Sequence, residues 1–148
     1  MPDLVQFLQQ QKDALQSPES AKKHEMWLAA LRALMNQIRT WLVKVESQML
    51  IKVDPDQITI TEEITGVYTA PALTLTVLST GKKVRIIPIG RTIIGADGRV
   101  DLKSAKGIYM LLYLADRGEW VHGTGTRPDD FPVLNEDLFT DLLTRALG

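Results

Sequence analysis

Between Leu28 and Met49 the apolar residues fall alternately three and four apart: Leu28, Leu31, Met35, Ile38, Leu42, Val45 and Met49. An α-helix brings residues at that spacing to one side, because 3.6 residues per turn return the chain to the same face after three or four steps. Trp27, Leu34 and Trp41 form a second stripe, seven apart, immediately beside the first. The apolar face is therefore wider than a two-stranded helical seam requires, and such a helix needs a broad surface against it. Its start is marked in "QSPES", where Ser17 supplies an N-cap and Pro18 the first helical position. A shorter helix precedes it, with Leu4, Phe7, Leu8 and Leu15 at helical spacing.

After Asp54-Pro55-Asp56, read as a helix stop and a turn, the period drops from near four to two. "QITITEE" alternates, and so does "ALTLTVLST", with Leu73, Leu75 and Val77 on one face. "STGKK" around Gly81 suits a hairpin, and "KVRIIPI" continues as a strand whose Pro88 cannot donate to a ladder and so implies an edge or a bulge. Asp97-Gly98, between "RTII" and "RVDL", predicts a two-residue type I′ turn. "GIYMLLYLA", a turn at Asp116-Arg117-Gly118 and the short strand "EWVHG" follow. In the tail Asn135 is placed to cap a helix built on Leu138, Leu142 and Leu143.

Strands joined by turns too short for helical crossovers must be mostly antiparallel. The expected fold is α+β: an N-terminal helical pair, one of them long and amphipathic, packed on an antiparallel meander sheet or half-barrel, with a short C-terminal helix. Residues 1–148 form one domain, with a helical region at 1–50, the sheet at 56–123 and the last helix at 135–147. A chain of 148 residues with 45% hydrophobic and 24% charged side chains has enough apolar surface for a core of its own.

Several chemistries lack their residues. With no cysteine the chain has no disulfide, thiolate nucleophile or thiolate-ligated metal. A reducing, cytoplasmic setting is the expectation, since the N-terminus has no secretory pattern and no apolar run reaches the roughly 18 residues that span a bilayer. "HEMWL" at 24–28 falls short of the H-E-x-x-H zinc pattern because Leu28 stands where the second histidine belongs. The acidic pairs Asp54/Asp56, Glu62/Glu63, Asp129/Asp130 and Glu136/Asp137 sit where capping or solvation accounts for them. No metal and no cofactor is expected.

Three features remain as candidate sites. "VHGTGTRPDD" at 121–130 pairs glycines with His122 and Arg127, although Pro128 occupies the third glycine position of a phosphate loop and no lysine follows. Residues 82–106 are locally basic: Lys83, Arg85, Arg91 and Arg99 stand out in a chain whose net charge is only −1. Such a face suits phosphates or an acidic protein, and equally protects a sheet edge from pairing. The heptad residues Leu28, Leu31, Met35, Ile38, Leu42 and Val45 pack either within the chain or across a two-fold axis in a homodimer. Together these point to a small cytoplasmic protein-interaction module of accessory, adaptor or immunity type, without catalytic activity. Its expected partner is a protein, acidic if it meets the basic face, with no membrane involved. The alternatives are a nucleic-acid accessory protein using that face, and a small-ligand binder or enzyme centred on His122 and Arg127.

Overall fold

A computed structural model describes residues 3–15, 18–62, 66–91, 96–124 and 130–148. The order is α1 (Leu4–Leu15), α2 (Pro18–Ser47), β1 (Ile51–Glu62), β2 (Gly66–Val77), β3 (Lys83–Gly90), β4 (Gly98–Ser104), β5 (Gly107–Leu114), β6 (Glu119–His122) and α3 (Glu136–Leu147). The strands form one six-stranded antiparallel meander in sequence order, and the sheet does not close. The fold is α+β, as the change of period implies.

Both stripes of α2 lie in or against the core as far as Val45, whereas Met49, expected to continue the first, stands beyond the helix end and is exposed. Trp27, Leu31, Leu34, Met35, Ile38 and Leu42 are buried against the sheet together with Leu73, Leu75, Val84, Ile86, Val100, Leu102 and Leu111. α3 packs on β3, β4 and β5 through Phe139, Leu142, Leu143 and Ala146. The Trp41 and Phe139 rings, 5.5 Å apart, join the two helices. Asn135 caps α3 as expected, accepting a hydrogen bond from the Leu138 amide at 2.8 Å. The N-cap expected at Ser17 lies outside the described residues.

Helix α1 behaves differently from its neighbour. Leu4, Val5, Phe7 and Leu8 are 51–74% exposed, and every α1 side chain described is exposed. The expected helical pair exists in sequence order, but α2 and α3 are the helices that cover the sheet.

Two turn assignments need correction. Asp54-Pro55-Asp56 is not a turn but part of β1: the helix ends at Ser47, Met49 takes a left-handed φ of 58°, and the strand starts at once at Ile51. β1 is an edge strand, so the amide that Pro55 lacks costs the sheet little there. Asp97-Gly98 is likewise not a hairpin tip. Gly98 already belongs to β4, opposite Tyr113, and Arg99 pairs with Gly90, so the β3–β4 connection is longer than two residues. The Asp97 carboxylate accepts from the Ala115 amide at 2.8 Å, and residues 92–94 of the expected strand "RTII" lie outside the described residues. Pro88 does mark a bulge, where the β3–β4 register shifts between Pro88 and Gly90.

The β1–β2 ribbon exchanges its faces. Ile51, Val53, Leu73 and Leu75 point to the core near the helix end, whereas Ile58, Ile60, Tyr68 and Ala70 do so further out, although the register between the strands is unbroken. β2 meets β3 only from Leu73 to Thr76. Beyond that point the ribbon is two-stranded and free to twist strongly, which carries the opposite face round onto α2.

Candidate functional site

Four places in this frame gather side chains that can act on something else. The first is a groove of about 420 Å³ between α2 and the β5–β6 end of the sheet, lined by Ala30, Ala33, Leu34, Gln37, Trp41, Tyr113, Trp120, Val133 and Leu134, with Glu119. Trp41, Tyr113 and Trp120 are half-buried, Val133 is exposed, and the Tyr113 and Trp120 rings lie 5.0 Å apart. Ala30 and Ala33 keep the α2 wall low. The segment at 132–134 forms the opposite lip because it pairs with β6: the His122 amide donates to Pro132 O at 2.9 Å, and the Leu134 amide to Trp120 O at 2.8 Å. Half-exposed indoles in a concave surface are what protein partners bury most profitably. Trp41 was legible in the sequence as a helix stripe, while Tyr113 and Trp120 come to it only through the sheet.

The second is a polar chain at the far side of the ribbon. Trp27 Nε1 donates to the Tyr68 hydroxyl at 3.1 Å, the hydroxyl donates to Glu62 Oε2 at 2.9 Å, and Glu62 Oε1 accepts from the Arg91 amide. Burial above all, with the Glu62 carboxylate adding to it, pushes the Tyr68 hydroxyl up to about 12, so it stays a proton donor. His24 is half-buried with its ring edge-on to Tyr68 at a centroid distance of 4.6 Å, and its Nδ1 has no hydrogen-bond partner among the described residues. The network ties α2, β1, β2 and the end of β3 together.

His122, a candidate from the sequence, is turned inward. It is 9% exposed, faces Tyr109 at 6.0 Å between ring centroids, and its pKa is lowered by burial and then by the Arg145 charge. Its chosen partner Arg127 lies outside the described residues, as do Pro128 and Asp129. The four basic candidates separate. Lys83 and Arg85 project from the outer face of β3, and Arg85 stands directly opposite Lys103 of β4. All three are exposed and carry no carboxylate partner among the described residues. Arg99 is on the same face, but its guanidinium is held side-on by Asp101, which is 5% exposed, with Nε to Oδ1 at 2.7 Å and Nη2 to Oδ2 at 3.1 Å. Arg91 sits at the end of β3 beside Glu62.

Of the self-association candidates, Leu31, Met35, Ile38 and Leu42 are buried within the chain, and Leu28 and Val45 are half-buried against the same core. The described residues hold no group of three or more His, Asp or Glu side chains arranged for a metal ion. No helix among them is long and apolar enough to cross a membrane. No protein-family model, curated protein or solved structure matches the chain.

Proposed function

We propose that the protein is a small cytoplasmic interaction module that works by binding another protein through α1, without catalytic activity of its own. One observation carries this reading: α1 is an amphipathic helix whose apolar side chains Leu4, Val5, Phe7 and Leu8 stay 51–74% exposed. A helix of 12 residues is marginal in water by itself, since its few hydrogen bonds barely offset nucleation, so an apolar stripe on it is a stripe to be covered. α1 carries Gln6, Gln9, Gln10 and Gln11 with one lysine, Lys12, offset by Asp13, and not the several lysines and arginines of a membrane-surface helix, which favours a protein as the cover. The test is a photo-reactive amino acid at Phe7 in living cells, with Gln10 as the control position. A discrete adduct at Phe7 and none at Gln10 is the expected result; equal labelling at both, or none, refutes the reading.

A second reading rests on Lys83, Arg85 and Lys103 sharing one face, none of them paired with a carboxylate among the described residues. If they meet phosphates, the slope of log affinity against log salt should be about −3 for duplex DNA and should flatten when all three are changed to glutamate. Affinity indifferent to salt, or to the substitutions, removes nucleic acid from consideration.

A further inference from the structure

The exchange of faces in the β1–β2 ribbon leaves a hollow beside α2. Pro55, Asp56 and Gln57 of β1 are all exposed there, whereas Ala72 and Leu73, two successive residues of β2, are both buried. Between the turning ribbon and the helix lies a cleft of about 490 Å³, a volume within the range of ligand sites. Its floor is apolar, formed by the buried Met35 with Ala72 and Leu73, and Arg32, Asn36 and Arg39 make its helix wall. We infer that this cleft receives an extended acidic segment of a partner protein, with Arg32 and Arg39 each holding one of two carboxylates. The inference does not depend on the role of α1.

Positions 32, 36 and 39 are four and three apart, so their side chains share one side of α2, and the two arginines start about 10 Å apart along its axis. Both are exposed, and neither has a hydrogen-bond or ion-pair partner among the described residues, although Asp56 lines the same cleft. Arginines on the open face of a helix are commonly solvated alone; these two differ in facing a second wall. A concavity with an apolar floor concentrates the field of its charges, and a guanidinium can grip a carboxylate through two parallel hydrogen bonds. Side chains two residues apart in an extended peptide stand on one side of it, about 7 Å from each other, which two arginines at this spacing reach through their long stems. The remaining residues favour a peptide over a dense polyanion. Asp56 sets a negative charge in the cleft, which repels a phosphate chain; its Oδ1 accepts from the Gln57 amide at 2.8 Å, and Oδ2 is left to accept a peptide N–H. Asn36, between the arginines, and Gln57 opposite carry carboxamides that both donate and accept, as a peptide backbone requires. Pro55 and Pro71 stiffen the strand wall, so little order is lost when a segment enters.

The test pans the immobilised full chain against a phage library of random heptapeptides. Peptides with aspartate or glutamate at two alternate positions should be enriched, and one of them, synthesised with a fluorophore, is titrated by anisotropy. Arg32→Ala and Arg39→Ala should each weaken its binding about tenfold, as loss of a charge-assisted hydrogen bond at an open site does, and Arg32→Lys should recover only part of that loss because lysine keeps the charge without the paired geometry. Both arginines are exposed, so the far-ultraviolet dichroism should not change. Changing Lys83, Arg85 and Lys103 together to alanine should leave the affinity unaltered. Failure to enrich any peptide, or enrichment without the acidic pattern, overturns the inference. So does an acidic peptide that is lost with the triple variant and kept by the two arginine variants, since it then sits on the outer face of β3 and β4. Sodium tripolyphosphate in equimolar amount should not displace the peptide; if it does, and its own binding needs Arg32 and Arg39, the ligand is a phosphate chain and the peptide assignment is wrong.

Discussion

Replacing Gly98 with alanine probes the point where α2 is pressed hardest onto the sheet. A methyl group there would stand 2.1 Å from Cζ3, 2.6 Å from Cε3 and 2.7 Å from Cη2 of Trp27. Carbon atoms settle at about 3.5–4.0 Å, so ring and strand would have to separate by roughly 1.4 Å. Neither can yield easily. Trp27 is 2% exposed, is hydrogen-bonded to Tyr68 and rests against Trp120 at 5.9 Å between ring centroids, while Gly98 is paired with Tyr113 in an interior strand. Overpacking of cores costs about 1–3 kcal/mol, and a clash this deep with an immobile aromatic belongs at the upper end, about 3 kcal/mol. In a urea titration followed by tryptophan fluorescence, the midpoint should fall by about 1.5 M for a slope near 2 kcal/mol/M. The melting temperature should drop by about 6–12 °C. Gly81→Ala is the control: its φ of 75° strains alanine but its methyl meets nothing within 4 Å, so about 1 kcal/mol is expected. If Gly98→Ala costs no more than Gly81→Ala, or if the cost is undiminished in a Trp27→Leu background, the close-packing argument is wrong.

Tyr68→Phe strands the Trp27 indole N–H and removes a donor from Glu62, so it should cost about 1–3 kcal/mol in the same titration; a loss under about 0.5 kcal/mol would mean that water replaces the hydroxyl. The folded-state pKa of His122 lies below its unfolded value of about 6.5, so the unfolded chain takes up a proton first on acidification. Its contribution is fully present above pH 6.5 and is lost as pH falls towards the folded pKa, with a slope of at most about 1.4 kcal/mol per pH unit. The difference in urea midpoint between wild type and His122→Asn should accordingly vary with pH below 6.5 and stay constant above it; a constant difference throughout refutes the assignment. Asp101→Asn removes the charge that Arg99 grips on the outer face and should cost about 2 kcal/mol, less than a fully buried pair because Arg99 remains 31% exposed. An unchanged melting curve would show that solvent already carries the guanidinium.

What the sequence revealed and what it hid divide along a physical line. The α2 stripes, the Asn135 cap and the turns at Gly81 and Gly118 are local: periodicity, a side-chain acceptor three residues from its amide and glycines with φ of 75° and 63° leave their mark within a few residues. Gly98 misleads because glycine serves two purposes, and here it provides space for a ring 71 residues earlier in the chain rather than a turn. Pro55 misleads in the opposite direction, since an edge strand tolerates the residue that would break an interior one. The groove illustrates the larger gap. Its α2 wall is readable as a helix face, but Tyr113 and Trp120 reach it through strand order, and Val133 through a bridge to β6 that no short pattern announces.

The exposure of the described α1 side chains is the feature with the widest consequence. Among the described residues every buried apolar side chain comes from α2, the six strands or α3, and none from α1. A chain beginning at Pro18 should therefore fold, with dichroism lowered only by the loss of one short helix. Its melting temperature should be independent of protein concentration. The full chain should melt at the same temperature, and should melt higher only when the protein that covers α1 is added. A full chain that melts several degrees higher on its own would mean that α1 is already covered within the protein. A shortened chain that does not fold would mean that α1 belongs to the core after all, and would remove the basis for treating its apolar stripe as a binding surface.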